Sequence, residues 1–98
     1  MTYERLGEQA FSHTDGSEVK PASVRHIEYA EKGRHRVAVV GFDMPSARRI
    51  RMFTRELSPW ILESTEQQPM SDAERAMVLD RIASAYRSGG YEVDIVPP

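Results

Sequence analysis

Few residues in this 98-residue chain have the type and spacing to do chemistry. Of the three histidines, His26 and His35 fall on the two arms of an expected hairpin and can lie across from each other. No third ligand follows at a metal-site spacing, so no metal is implied. The chain has no cysteine, which excludes thiolate sites and disulfides. His13 and Asp15 are close in sequence and read as turn formers, because a preorganised site needs rigid elements beneath it. No serine stands in the strand-turn-helix context of a nucleophile elbow. Glu92 and Asp94 share the outer face of one strand, which a solvated face explains. Gly89-Gly90 follows a helix instead of preceding one, so it cannot cradle a phosphate. Neither a catalytic site nor a cofactor is implied.

The arginine-bearing stretch is the one functional signal. Arg49, Arg51 and Arg55 can share a strand face with Phe53 between them, and arginine interleaved with an aromatic is a pattern of nucleic-acid surfaces. Trp60, if exposed beside Ile61 and Leu62, would be a recognition hot spot; if buried against the helix it is core. From Lys32 to Arg55 there are seven basic residues against one acid, Asp43. From Glu56 onward there are eight acids against three arginines. Such a division marks either an interaction surface or two parts of the fold paired with each other. A pI near 5.9 argues against a dedicated nucleic-acid binder.

The elements that must position these residues are organised around Ser71–Val96. Ser71 and Glu74 fit a capping box, and Asp72 and Glu74 put negative charge at the positive end of the helix. Val78, Leu79, Ile82, Ala85 and Tyr86 form one apolar stripe, with Arg75, Asp80, Arg81, Ser84 and Arg87 mostly off it. Gly89 and Gly90 supply a left-handed stop. Tyr91, Val93 and Ile95 then alternate with Glu92 and Asp94 as a strand, ended by Pro97 and Pro98.

Upstream, the spacing predicts a hairpin. Its arms are Val24–Glu31 and His35–Phe42, its turn is Glu31–Arg34, and Gly33 takes the positive φ. Asp43–Ser46 is expected to break the second arm. Ala47–Leu57 is ambiguous, with a strand favoured over Arg49–Thr54 because Ser58-Pro59 follows closely. Trp60–Leu62 reads as a loop or short helical turn, and Glu63–Pro69 as a polar linker. Residues 1–23 read as a leader that is mobile in part: Tyr3–Phe11 is a poor strand interrupted by Gly7, and His13–Ser17 and Lys20–Ser23 are turn and loop.

The fold expected is a single α+β domain. It has an antiparallel sheet of four to five strands, one long helix on one face, and a C-terminal strand after the helix. The expected core is Ile27, Tyr29, Val37, Val39, Leu57, Trp60, Leu79, Ile82, Tyr86, Val93 and Ile95. The N-terminus has no apolar run like that of a signal peptide, and nothing in the sequence is long and apolar enough to span a bilayer. A cytoplasmic location is the expectation, and no membrane partner is implied. Edge strands of a small sheet can pair between chains, which allows a homodimer.

The residues Ile50-Arg51-Met52-Phe53, Leu57 and Trp60, the polar linker, Ser71 with Glu74-Arg75, Ile82, Ala85 and Gly90-Tyr91-Glu92-Val93 resemble a group of small bacterial proteins, the immunity proteins of polymorphic toxin systems. The resemblance covers roughly Val24–Val96. It departs from the family pattern in that Pro59 precedes Trp60, where that pattern has prolines just after the tryptophan. The resemblance implies a small sheet backed by one helix and a non-enzymatic role in binding a protein partner. The surface expected for that partner comprises Arg49, Arg51, Phe53, Arg55 and Trp60. The alternative is a nucleic-acid-binding or regulatory module using residues 48–55.

Overall fold

The structure is a computed structural model that describes residues 3–5 and 10–97, with side chains from residue 10 onward. The described residues form nine strands and one α-helix: β1 Tyr3–Arg5, β2 Phe11–His13, β3 Ser17–Ser23, β4 His26–Glu31, β5 Arg36–Ser46, β6 Arg49–Phe53, β7 Trp60–Leu62, β8 Gln67–Gln68, α1 Asp72–Ser88 and β9 Glu92–Val96. Strands β1 to β6 run as an antiparallel meander, and β9 closes the order beside β6. The sheet has more strands than the expected four or five, and it is mixed, because β9 runs parallel to β6. The helix dictates this. Its 17 residues carry the chain back about 25 Å, so β9 starts at the end where β6 starts.

The helix forms where its caps place it. Ser71 accepts from the amide of Glu74 at 3.1 Å, and Glu74 accepts from the amide of Ser71 at 2.9 Å. Val78, Ile82, Ala83, Ala85 and Tyr86 are buried, while Leu79 is only partly so. At its C-terminus the left-handed residue is Gly90, at φ 90°. Gly89 has an ordinary φ of -87°, and glycine is needed there for space instead: a Cβ would lie 2.6 Å from the Phe11 ring.

The helix covers one face of the sheet. Phe11, Val19, Ile27, Tyr29, Ala38, Val40, Ile50, Met52 and Val93 point towards it, and Trp60 closes the layer at the helix N-terminal end. Val37 and Val39, expected in the core, point the other way. Four apolar residues in a row conceal which parity faces in. The pairing of Tyr29 with Ala38, and of Ile27 with Val40, settles it: small Ala38 sits in the row that already holds a large aromatic. Ile95, also expected in the core, is 41% exposed at the margin of the sheet.

Several expected breaks are continuous sheet. Residues 17–23 form β3, which buries Val19, so Lys20–Ser23 is strand and not loop. The described residues 10–13 continue into that pairing; the part of the expected first strand at 6–9 lies outside the described residues. Val24 and Arg25 are a tight turn, so β4 begins at His26. Strand β5 runs through Asp43–Ser46, absorbing a register shift between Asp43 and Ser46. Trp60–Leu62 is a strand, paired with β5 at Arg36 and Val37 and with β8 at Gln67 and Gln68. Between the pairings of β5 with β7 and with β6, Ser58 fills the gap. Its amide donates to the carbonyl of Val39, and its hydroxyl accepts from the amide of Val39. The β4–β5 connection is a 3₁₀ turn at Lys32–Arg34, so the left-handed residue is His35 at φ 53° and not Gly33.

Candidate functional site

Two places gather polar side chains: the seam between helix and sheet, and the sheet face that the helix leaves bare. The seam is a chain of contacts across the core margin. Arg81 donates from one nitrogen to Asp15 Oδ2 at 2.6 Å and to the Tyr29 hydroxyl at 2.8 Å. Asp15 also accepts from the amide and hydroxyl of Ser17. Tyr29 donates to Glu31, and the other Glu31 oxygen accepts from Arg36 at 2.7 Å. The Arg36 guanidinium lies 3.9 Å over the Trp60 ring and 3.4 Å from Glu74, to which the Trp60 indole also donates. Partial burial pushes the Asp15 carboxyl up, but the Ser17 and Arg81 donors outweigh it and hold the group well below the usual carboxylate range. Burial pushes the Tyr29 phenol up. The Ser71 amide and the Trp60 indole lower Glu74. A cavity of about 420 Å³ opens at this seam beside Asp15, Ser17, Lys32 and Arg81.

The bare face carries the residues that alternate with the core: Glu18, Lys20, Glu28, Ala30, Val37, Val39, Arg49, Arg51, Phe53, Glu92 and Asp94. Register aligns them in rows. Ala30 sits beside Val37, and Val37 beside Ile61, so three strands contribute one apolar row. With Leu62 they line a groove of about 500 Å³, rimmed by Lys20, Glu28, Lys32, His35 and Glu63. The polar groups of the rim are matched in pairs: Lys20 with Glu28, Lys32 with Glu18, and the His35 ring with Glu63. His35 and Thr65, both at positive φ, stand in the neighbouring turns at this end of the sheet.

The residues expected to form a partner surface separate. Arg49, Arg51 and Phe53 do share the bare face of β6, with the Arg51 guanidinium 6.0 Å from the centre of the Phe53 ring. Arg55 is in the 3₁₀ turn that follows β6 and is exposed. Trp60 is 0% exposed and belongs to the core, so it offers a partner no surface. The arginines do not make a basic patch: Arg49 pairs with Glu92 and Asp94, and Arg51 with Asp43. Arg36 likewise pairs with Glu74, so basic residues of the middle meet acids of the C-terminal part across the fold.

The histidines separate too. His26 starts β4 opposite Gly41, whereas His35 lies beyond the far end of the same strand. Among the described residues no three histidine, aspartate or glutamate side chains are grouped to hold a metal ion. No described helix is long and apolar enough to cross a membrane.

Sequence reasoning missed the seam hub of Asp15, Ser17, Tyr29 and Arg81, and the groove row of Ala30, Val37 and Ile61. A signal for Arg81 was present. It lies three residues after Val78 and four before Ala85, the spacing that defines the buried stripe. No protein-family model matches the chain, and neither a curated protein nor a solved structure matches it.

Proposed function

We propose that the protein is a non-enzymatic protein-binding module that works through the bare face of its sheet. The observation that carries this reading is the groove: an apolar row of Ala30, Val37 and Ile61 inside a rim of paired charges. An apolar centre within a polar rim is the arrangement of a protein–protein interface. Supporting it, the bonds from Arg81 to Asp15 and Tyr29, and onward through Glu31 to Arg36, tie helix to sheet. The resemblance to immunity proteins adds a role, occlusion of a toxin partner in a bacterial cytoplasm, and the absence of cysteine fits a reducing compartment. The pairing of Arg49 and Arg51 with three carboxylates weighs against the nucleic-acid alternative.

The test is site-specific crosslinking in cells from a photoreactive residue at position 37, followed by reconstitution with the captured protein. Val37→Asp and Ile61→Asp should each weaken that complex at least tenfold, as loss of a central contact does. A complex indifferent to both substitutions, or a hydrolytic activity that copurifies stoichiometrically with the chain, would overturn the reading.

A further inference from the structure

We infer that β9 is a self-association strand: its open edge pairs antiparallel with the same edge of a second copy of the chain, in the register that sets Ile95 against Ile95. Strand β9 ends the order beside β6, and among the described residues no strand pairs with its other side. The amide of Glu92 donates to the carbonyl of Arg48, and the carbonyl of Val96 accepts from the Thr54 hydroxyl at 2.9 Å. Glu92, Asp94 and Val96 therefore turn their backbone polar groups to the β6 side. Strand alternation turns those of Val93 and Ile95 outward. The outward groups are not equivalent. Arg87 donates to the Val93 carbonyl at 3.0 Å, so that acceptor is in use. The edge offers the Val93 amide and the amide and carbonyl of Ile95, and two residues further on Pro97 has no amide at all.

That inventory selects the register. Pairing two β9 edges about Val93 brings each Val93 amide to the other Val93 carbonyl, and pairing about Asp94 brings each Ile95 amide to it. Both registers need the acceptor that Arg87 occupies. Pairing about Val96 sets Ile95 against Pro97 and leaves the Ile95 carbonyl without a donor. Pairing about Ile95 meets neither difficulty. The two Ile95 residues exchange amide-to-carbonyl bonds, the closely spaced pair of an antiparallel ladder. Val93 then faces Pro97 of the other copy, which brings no amide to compete with Arg87 and whose carbonyl can take the Val93 amide. The side chains agree. Ile95, on the helix face, is 41% exposed in the single chain and meets its own copy across the twofold axis. Asp94, on the bare face, falls opposite Val96. The registers about Val93 and Asp94 instead set Glu92 against Asp94 or Asp94 against itself, and like charges directly opposite destabilise a strand pair. The edge is thus complementary to itself, as a twofold contact requires. With five residues in each strand the interface is small, so the dimer exchanges reversibly with the monomer.

This contact is separate from the groove and stands whether or not the groove binds a partner. The full-length, isotopically labelled chain is followed by NMR and sedimentation equilibrium over a dilution series reaching about 1 mM, where weak contacts populate. The wild type should pass reversibly from monomer to dimer. The Val93 and Ile95 amide signals should shift, and exchange of the Ile95 amide should slow, as concentration rises. Ile95→Lys and Ile95→Glu each put like charges on the twofold axis, and each alone should weaken dimerisation at least tenfold. An equimolar mixture of the two should recover it as a heterodimer, because only the register about Ile95 brings position 95 of both copies together. Ile95→Pro removes the exchanged amide and should also abolish the dimer; the charge pair keeps the test intact if the proline variant does not fold. Val37→Asp, in the groove, should leave dimerisation unchanged. A chain monomeric throughout the series, a dimer lost with Val37→Asp and kept with the Ile95 variants, or a mixture that stays monomeric would overturn the inference.

Discussion

Arg81→Met tests whether the helix–sheet seam is held by its ion-paired hub. Methionine keeps the length and most of the apolar stem but removes the donors to Asp15 and the Tyr29 hydroxyl. A hydrogen bond to a charged group contributes about 1.5–3 kcal/mol, and two are lost. The loss is partly recovered, because Asp15 is 43% exposed and can rehydrate while keeping its bonds from Ser17, and Tyr29 still donates to Glu31. Discounting the Asp15 contact for that exposure leaves about 2 kcal/mol. For a chain of this size that corresponds to a fall in Tm of roughly 8–16 °C. The assay is urea unfolding of the wild type, Arg81→Met, Asp15→Asn and the double variant. The cycle should show a coupling of about 1 kcal/mol, as expected for residues in one network. A single-variant loss below about 0.5 kcal/mol, or strictly additive effects, would refute the hub as a source of stability.

Stability should also depend on pH through Asp15. Its folded pKa lies below that of the unfolded chain, so its contribution is complete above the unfolded value of about 4 and is lost as pH falls through the folded value. Asp15→Asn should flatten the acid limb of a Tm-against-pH curve below about pH 4; an unchanged limb would remove Asp15 from the account. The single tryptophan gives an optical reading of its burial. Native fluorescence of Trp60 should be blue-shifted and resist acrylamide quenching, both changing on unfolding, whereas free quenching in the native state would place Trp60 outside the core. Adjacent glycines should separate by mechanism. Gly89→Ala drives a Cβ into the Phe11 ring and should cost about 1–3 kcal/mol, while Gly90→Ala has open space and should cost about 1 kcal/mol for its positive φ alone. Denaturant titration measures both, and the reverse order would contradict the packing of Phe11 on the helix end.

The helix was legible from Ser71 to Ser88 because its determinants are local: a capping serine with its glutamate, a 3.6-residue stripe, and a terminal glycine. What escaped the sequence depends on partners far along the chain. Strand β3 contains Pro21, and β7 holds only three residues, so neither has a pattern of its own; each is made strand by the neighbour that pairs with it. The parity of Val37–Val40 is undetermined by its own residues and is decided by Tyr29 and Ile27 across the ladder. The same holds for charge. Arg49 and Arg51 read as an unbalanced basic run because Glu92, Asp94 and Asp43 reach them only through the register of β9 on β6 and of β6 on β5. Arg81 reads as a solvated helix residue until the β2–β3 turn brings Asp15 within 2.6 Å. The candidate site therefore moved for a physical reason. Folding matches the conspicuous charges to one another. It leaves as the candidate working surface the apolar row they frame.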